Sequence, residues 1–144
     1  MIGIRGGRIV DPVTRTEQTA DILIENGKIL SVGEAFADAC CERVMDASGL
    51  VVAPGLVDVH VHFRDPGLTY KEDIETGAKA AAKGGFTTVI CMANTKPVID
   101  NPDTLSYVLE KGRQTGIHVK TCAAVTKGMQ GKELTDMETL RKLG

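Results

Sequence analysis

Past Pro54-Gly55 the chain alternates strand-like and helix-like stretches three times, and no other feature limits its fold as much. Leu56 to His62 is strand-like, and Leu68 to Lys83 reads as a helix. Thr69-Tyr70-Lys71-Glu72 serves as its capping box and Gly84-Gly85 as its stop. Thr87 to Met92 is a buried strand rich in β-branched residues. Asn101-Pro102 supplies an N-cap with proline in the first helical position, and a helix follows to about Gly116. Ile117 to Val125 is a third strand. Thr135-Asp136-Met137-Glu138 repeats the capping-box pattern and opens a helix that ends at Gly144. Strand, helix, strand, helix with short links predicts parallel βα units and an α/β fold. A parallel sheet wants both faces covered, and a closed barrel of eight such units takes about 250 residues. Three units therefore begin an architecture without finishing it.

Before Pro54 the pattern is different. Short β-like pieces lie at Ile2 to Arg5, Arg8 to Val10, Asp21 to Glu25 and Lys28 to Val32. Gly6-Gly7 and Asn26-Gly27 supply the positive φ angles of two-residue hairpin turns. Further short strands are expected at Arg43 to Asp46 and Leu50 to Ala53. Together these predict a small antiparallel β unit over residues 1–53, followed by the βα units over 54–144.

Composition removes several classes of function. Formal charge is −2, from 17 Lys plus Arg against 19 Asp plus Glu, with no basic stripe to attract nucleic acid or an anionic membrane. The opening Met1-Ile2-Gly3-Ile4-Arg5 reaches charge too soon for a signal-peptide core, and no apolar run approaches the roughly 20 residues of a membrane span. A cytoplasmic location is the expectation. Cys40, Cys41, Cys91 and Cys122 contain no CxxC pair and read as reduced thiols, with Cys91 and Cys122 packed inside strands as small hydrophobes.

The strongest chemical signal is Asp58-Val59-His60-Val61-His62. Side chains alternate faces along a strand, so His60 and His62 share one face, about 6–7 Å apart along it. Two imidazoles so placed can grip one divalent ion, or they can be half-exposed strand residues that bind nothing. Arg64 follows in Phe63-Arg64-Asp65-Pro66-Gly67, where strand should give way to loop. There a guanidinium can hold a carboxylate through two parallel hydrogen bonds; equally, it can be a surface arginine paired with Asp65. Asn94, in Ala93-Asn94-Thr95-Lys96-Pro97 after the second strand, carries both donor and acceptor atoms for a ligand amide or carboxylate, or it shapes the turn before Pro97.

Taken together these stretches resemble the dihydroorotase branch of the amidohydrolase superfamily. Pro54 to Gly67 matches that family's first barrel strand and loop almost without gaps. Thr87-Thr88-Val89 and Asn94-Thr95-Lys96-Pro97 are similar to its second strand and substrate loop. Residues 1–53, with Arg8-Ile9-Val10-Asp11-Pro12 and Asn26-Gly27-Lys28-Ile29, resemble its N-terminal β-sandwich unit. The resemblance implies part of a β-sandwich, then the first three βα units of a (β/α)8 TIM-type barrel, incomplete here. It implies His60 and His62 as metal ligands for one or two Zn2+ ions, and His62, Arg64 and Asn94 as substrate-binding residues. The implied reaction is the reversible cyclisation of N-carbamoyl-L-aspartate to (S)-dihydroorotate with loss of water, in pyrimidine biosynthesis.

The resemblance also implies a small-molecule substrate; the composition predicts no nucleic-acid or membrane partner, and the open sheet edges of three βα units predict a homo-oligomer. The family draws further metal ligands and its catalytic aspartate from later strands. No catalytic base is assigned in this chain, which is expected to be inactive alone. His118, the third histidine, falls at the start of its strand and reads as structural. Ala93 stands where many members carry proline, a change expected in loop stiffness. The competing readings are an allantoinase or hydantoinase, relatives that share the HxH strand but generally lack the Phe-Arg-Asp-Pro-Gly continuation, and a non-catalytic homologue with an assembly role. Arg64 separates the first from a dihydroorotase, and the two retained histidines weigh against the second.

Overall fold

The computed structural model describes residues 1–144, which divide into two units, Met1–Pro54 and Gly55–Gly144. In the first, β1 (Ile2–Asp11), β2 (Thr16–Glu25) and β3 (Lys28–Val32) form an antiparallel meander, with β4 (Arg43–Asp46) and β5 (Val51–Val52) both added to β1. The five strands make a single sheet, ordered β3-β2-β1-β4, with β5 also on β1. Asn26 and Gly27 take φ of 50° and 74° and form the expected hairpin turn.

Two expectations for this unit are corrected. Gly6-Gly7 does not reverse the chain, because both halves of β1 pair with the same strand, β2. The register shifts between Ile4 and Gly7, which makes the site a bulge. Gly6 absorbs it at φ 68°, and its N–H donates to Asp21 Oδ1 at 2.9 Å. Nor is the unit purely antiparallel, since β4 and β5 run parallel to β1. The connection after β3, with a 3₁₀ turn at Asp38–Cys40, brings the chain back so that the N–H of Glu42 reaches the carbonyl of Met1.

The second unit has the predicted α/β character. Strands β6 (Leu56–Val61), β7 (Phe86–Cys91) and β8 (His118–Thr121) are parallel and adjacent in sequence order. Helices α1 (Ile74–Lys83) and α2 (Pro102–Arg113) link them, and α3 (Met137–Leu143) follows. Asn101 caps α2 as expected, its side-chain oxygen accepting from the Thr104 N–H at 3.1 Å with Pro102 in the first turn. Ile74 of α1, Val89 of β7, Ile99, and Val108 of α2 are the largest fully buried side chains, and the cluster around them includes Phe63, Cys91, Leu105, Val119 and Leu140. Burial pushes the Cys91 thiol up to about 12.

Helix α1 starts later than the Thr69 capping box suggested. Leu68 to Asp73 belong to the loop, and Asp73 is the cap, accepting from the Thr76 N–H at 2.8 Å. Starting there places Ile74 in the core at the first helical position. In α3 the cap is Asp136, which accepts from the Thr139 N–H at 3.0 Å. Thr135 is unavailable because its buried hydroxyl donates to the Ala124 carbonyl. β8 stops at Thr121 rather than Val125: the Cys122 N–H makes a last bond to the Cys91 carbonyl of β7, and the Ala124 N–H then turns to the Ile99 carbonyl. Cys122 consequently lies exposed beyond the strand instead of packing inside it. All four cysteines are free, and no helix is long and apolar enough to cross a membrane.

Candidate metal and substrate site

His60 is the penultimate residue of β6 and His62 lies one residue beyond its end. The alternation of the strand puts both imidazoles on one side, and their Nε2 atoms approach to 3.3 Å. The rings meet edge to face, with centroids 5.1 Å apart. Both residues are exposed, so neither serves as core packing. Two nitrogens that share a tetrahedral zinc at roughly 2.05 Å stand about 3.3 Å from each other. The observed spacing is compatible with that distance.

Asn94 follows β7 in the neighbouring loop, and its Oδ1 lies 2.9 Å from His62 Nδ1. An amide oxygen can only accept, so Nδ1 carries the proton and donates. This tautomer leaves Nε2 as a bare lone pair on the side facing His60. The two loops are joined: the N–H of Lys96 donates to the Pro66 carbonyl at 3.0 Å. At Gly67, with φ 85°, a β-carbon would sit 1.6 Å from the Lys96 carbonyl oxygen, so only glycine permits the crossing. Ala93 is buried, and its carbonyl accepts the N–H groups of Thr95 and Ile99, which shapes the Asn94 turn.

Arg64 sits two residues after His62 with φ 62°, partly buried. It is not paired with Asp65. The Asp65 carboxylate instead turns inward and is fully buried, accepting from Tyr107 Oη at 2.9 Å and Lys111 Nζ at 2.7 Å, both on α2. The Asp65 hydrogen bond, then that with Tyr107, holds the Lys111 ammonium above the usual lysine range. Sequence reasoning missed this trio, because it spans more than 40 residues. Its one local signal was Tyr107 and Lys111 at i, i+4 on a helix. His60, His62 and Asn94 are thus brought into one chain of contacts, with Arg64 in the adjoining loop. His118 lies exposed at the opposite end of its strand, as expected.

Fold and cluster define a class first: an α/β protein that presents imidazole and amide groups at the C-terminal ends of parallel strands, where such sheets take their ligands. Residues 49–144 match the dihydro-orotase-like family, and the chain belongs to it. Over its whole length it is 58% identical to the dihydroorotase of Clostridioides difficile and 51% identical to that of Streptococcus pneumoniae. It spans 34% of the length of each. The solved L-hydantoinase (dihydropyrimidinase) of Arthrobacter aurescens is 28% identical, with a TM-score of 0.78 over 87% of this chain and 28% of its own.

Proposed function

We propose that this chain is part of a cytoplasmic dihydroorotase that interconverts N-carbamoyl-L-aspartate and (S)-dihydroorotate. In this reading residues 1–53 belong to a β-sandwich domain, and residues 54–144 are the opening three βα units of a (β/α)8 barrel. The 3.3 Å approach of the His60 and His62 Nε2 atoms carries the proposal, because it matches two ligands of one zinc ion. No group of three His, Cys, Asp or Glu side chains in the chain is placed to hold a metal ion, whereas a catalytic zinc takes about three protein ligands. The remaining ligands, and the carboxylate that moves the proton, are assigned to segments present in the longer relatives. A zinc ion held there would polarise the reacting carbonyl and lower the pKa of a bound water.

The roles of the chain's own residues follow from their atoms. His60 and His62 offer the Nε2 lone pairs. Asn94 Oδ1 holds His62 in the tautomer that makes its lone pair available, while the Asn94 Nδ2 donors are left for the substrate. Arg64, in the loop bonded to that of Asn94, supplies a planar fork suited to the substrate's carboxylate. A hydantoin or allantoin ring carries no such carboxylate.

The test is turnover of dihydroorotate, allantoin and hydantoin by the full-length zinc-loaded protein that contains this chain. Dihydroorotate is expected to have the highest kcat/KM. Preference for either ring without a carboxylate would overturn the proposal.

A further inference from the structure

We infer that Asp65, Tyr107 and Lys111 form a clamp whose task is to aim Arg64 at the substrate's carboxylate. The inference rests on the carboxylate-binding reading of Arg64 given above.

A carboxylate whose side chain is wholly buried is costly unless paired and hydrogen-bonded. Here Oδ1 receives the Tyr107 hydroxyl at 2.9 Å and Oδ2 receives Lys111 Nζ at 2.7 Å. Oδ2 also lies 3.5 Å from the Ile74 N–H, at the first residue of α1. The two donors stand one turn apart on α2, with the Lys111 ammonium 5.2 Å from the Tyr107 ring centre. One side chain thus ties the loop after β6 to both helices.

The neighbour of that side chain is Arg64, whose Cα lies one peptide, about 3.8 Å, away. Arg64 holds φ at 62°, a left-handed conformation that non-glycine residues adopt only where their surroundings impose it. The Arg64 carbonyl accepts from the Leu68 N–H at 3.0 Å, closing the loop on its far side. Between these fixings the direction of the Arg64 Cα–Cβ bond is set. A long side chain meeting a small anion bidentately needs that direction held. Nothing in the trio reaches His60 or His62, so its effect belongs to substrate binding rather than to metal binding or the reacting bond. Asp65, Tyr107 and Lys111 are therefore positioning residues.

The experiment is a double-mutant cycle in the full-length zinc-loaded protein, with Lys111→Met and Arg64→Met singly and together. Lys111→Met is expected to raise KM for dihydroorotate about tenfold, leaving kcat within about threefold and zinc content unchanged. Lys111→Arg, which keeps the cation, should recover most of the affinity. In the Arg64→Met background, Lys111→Met should add less than about twofold, because its effect is transmitted through the arginine. Should Lys111→Met not fold, Tyr107→Phe enters the same cycle in its place. Equal effects in both backgrounds would show a general structural role and overturn the inference, as would an unchanged KM in Lys111→Met. An unchanged KM in Arg64→Met would overturn the carboxylate reading itself and the clamp with it.

Discussion

His60 and His62 are exposed residues in contact with each other, and that combination argues against a role in core packing. Two exposed imidazoles whose Nε2 atoms lie 3.3 Å apart contribute little to folding through apolar burial. In the full-length protein, His60→Ala or His62→Ala should lower bound zinc and activity together and leave the melting temperature nearly unchanged. Metal analysis beside thermal unfolding checks this. Retained zinc with a collapsed melting temperature would mark them as packing residues. The shared face of the pair was legible from the period of two along a strand. The tautomer of His62 was not, because it depends on Asn94, 32 residues away.

Among the helices, the choice of cap shows how tertiary packing decides between local signals. Thr69 with Glu72 makes a good capping box, yet Asp73 caps α1. The core selects the later start by taking Ile74, which is almost completely buried. The segment before it crosses the Asn94 loop, with Pro66 bonded to Lys96 and Gly67 against its carbonyl. Asp73→Ala should therefore destabilise the chain by about 1 kcal/mol, whereas Thr69→Ala should change stability by less than about 0.5 kcal/mol. Urea unfolding of the two variants measures the difference, and equal losses would show that the helix begins at Thr69 in solution.

Taken as a whole, the second unit leaves both sheet edges open within this chain. β6 pairs only with β7 on one side, and β8 pairs only with β7 on the other. Leu56, Val57 and Val59 on β6 are each more than half exposed. Unpaired strand edges bearing apolar side chains recruit other strands. The 144-residue chain alone is accordingly expected to form dimers or larger assemblies. Light scattering during size-exclusion chromatography reads the mass directly, and a stable monomer would overturn this expectation.

The sequence by itself determined what depends on neighbours along the chain. Alternating strand and helix patterns, the Asn26-Gly27 turn, the Asn101-Pro102 cap and the common face of His60 and His62 all arise within a few residues, where backbone sterics and periodicity dominate. Only the tertiary structure decided that Asp73 rather than Thr69 caps α1, that Gly6 bulges a strand instead of turning it, and that β4 and β5 run parallel to β1. It also decided that Asp65 turns away from Arg64 to meet α2. A buried carboxylate must find donors wherever the fold brings them, and those donors lie 42 and 46 residues away, beyond the reach of any local pattern.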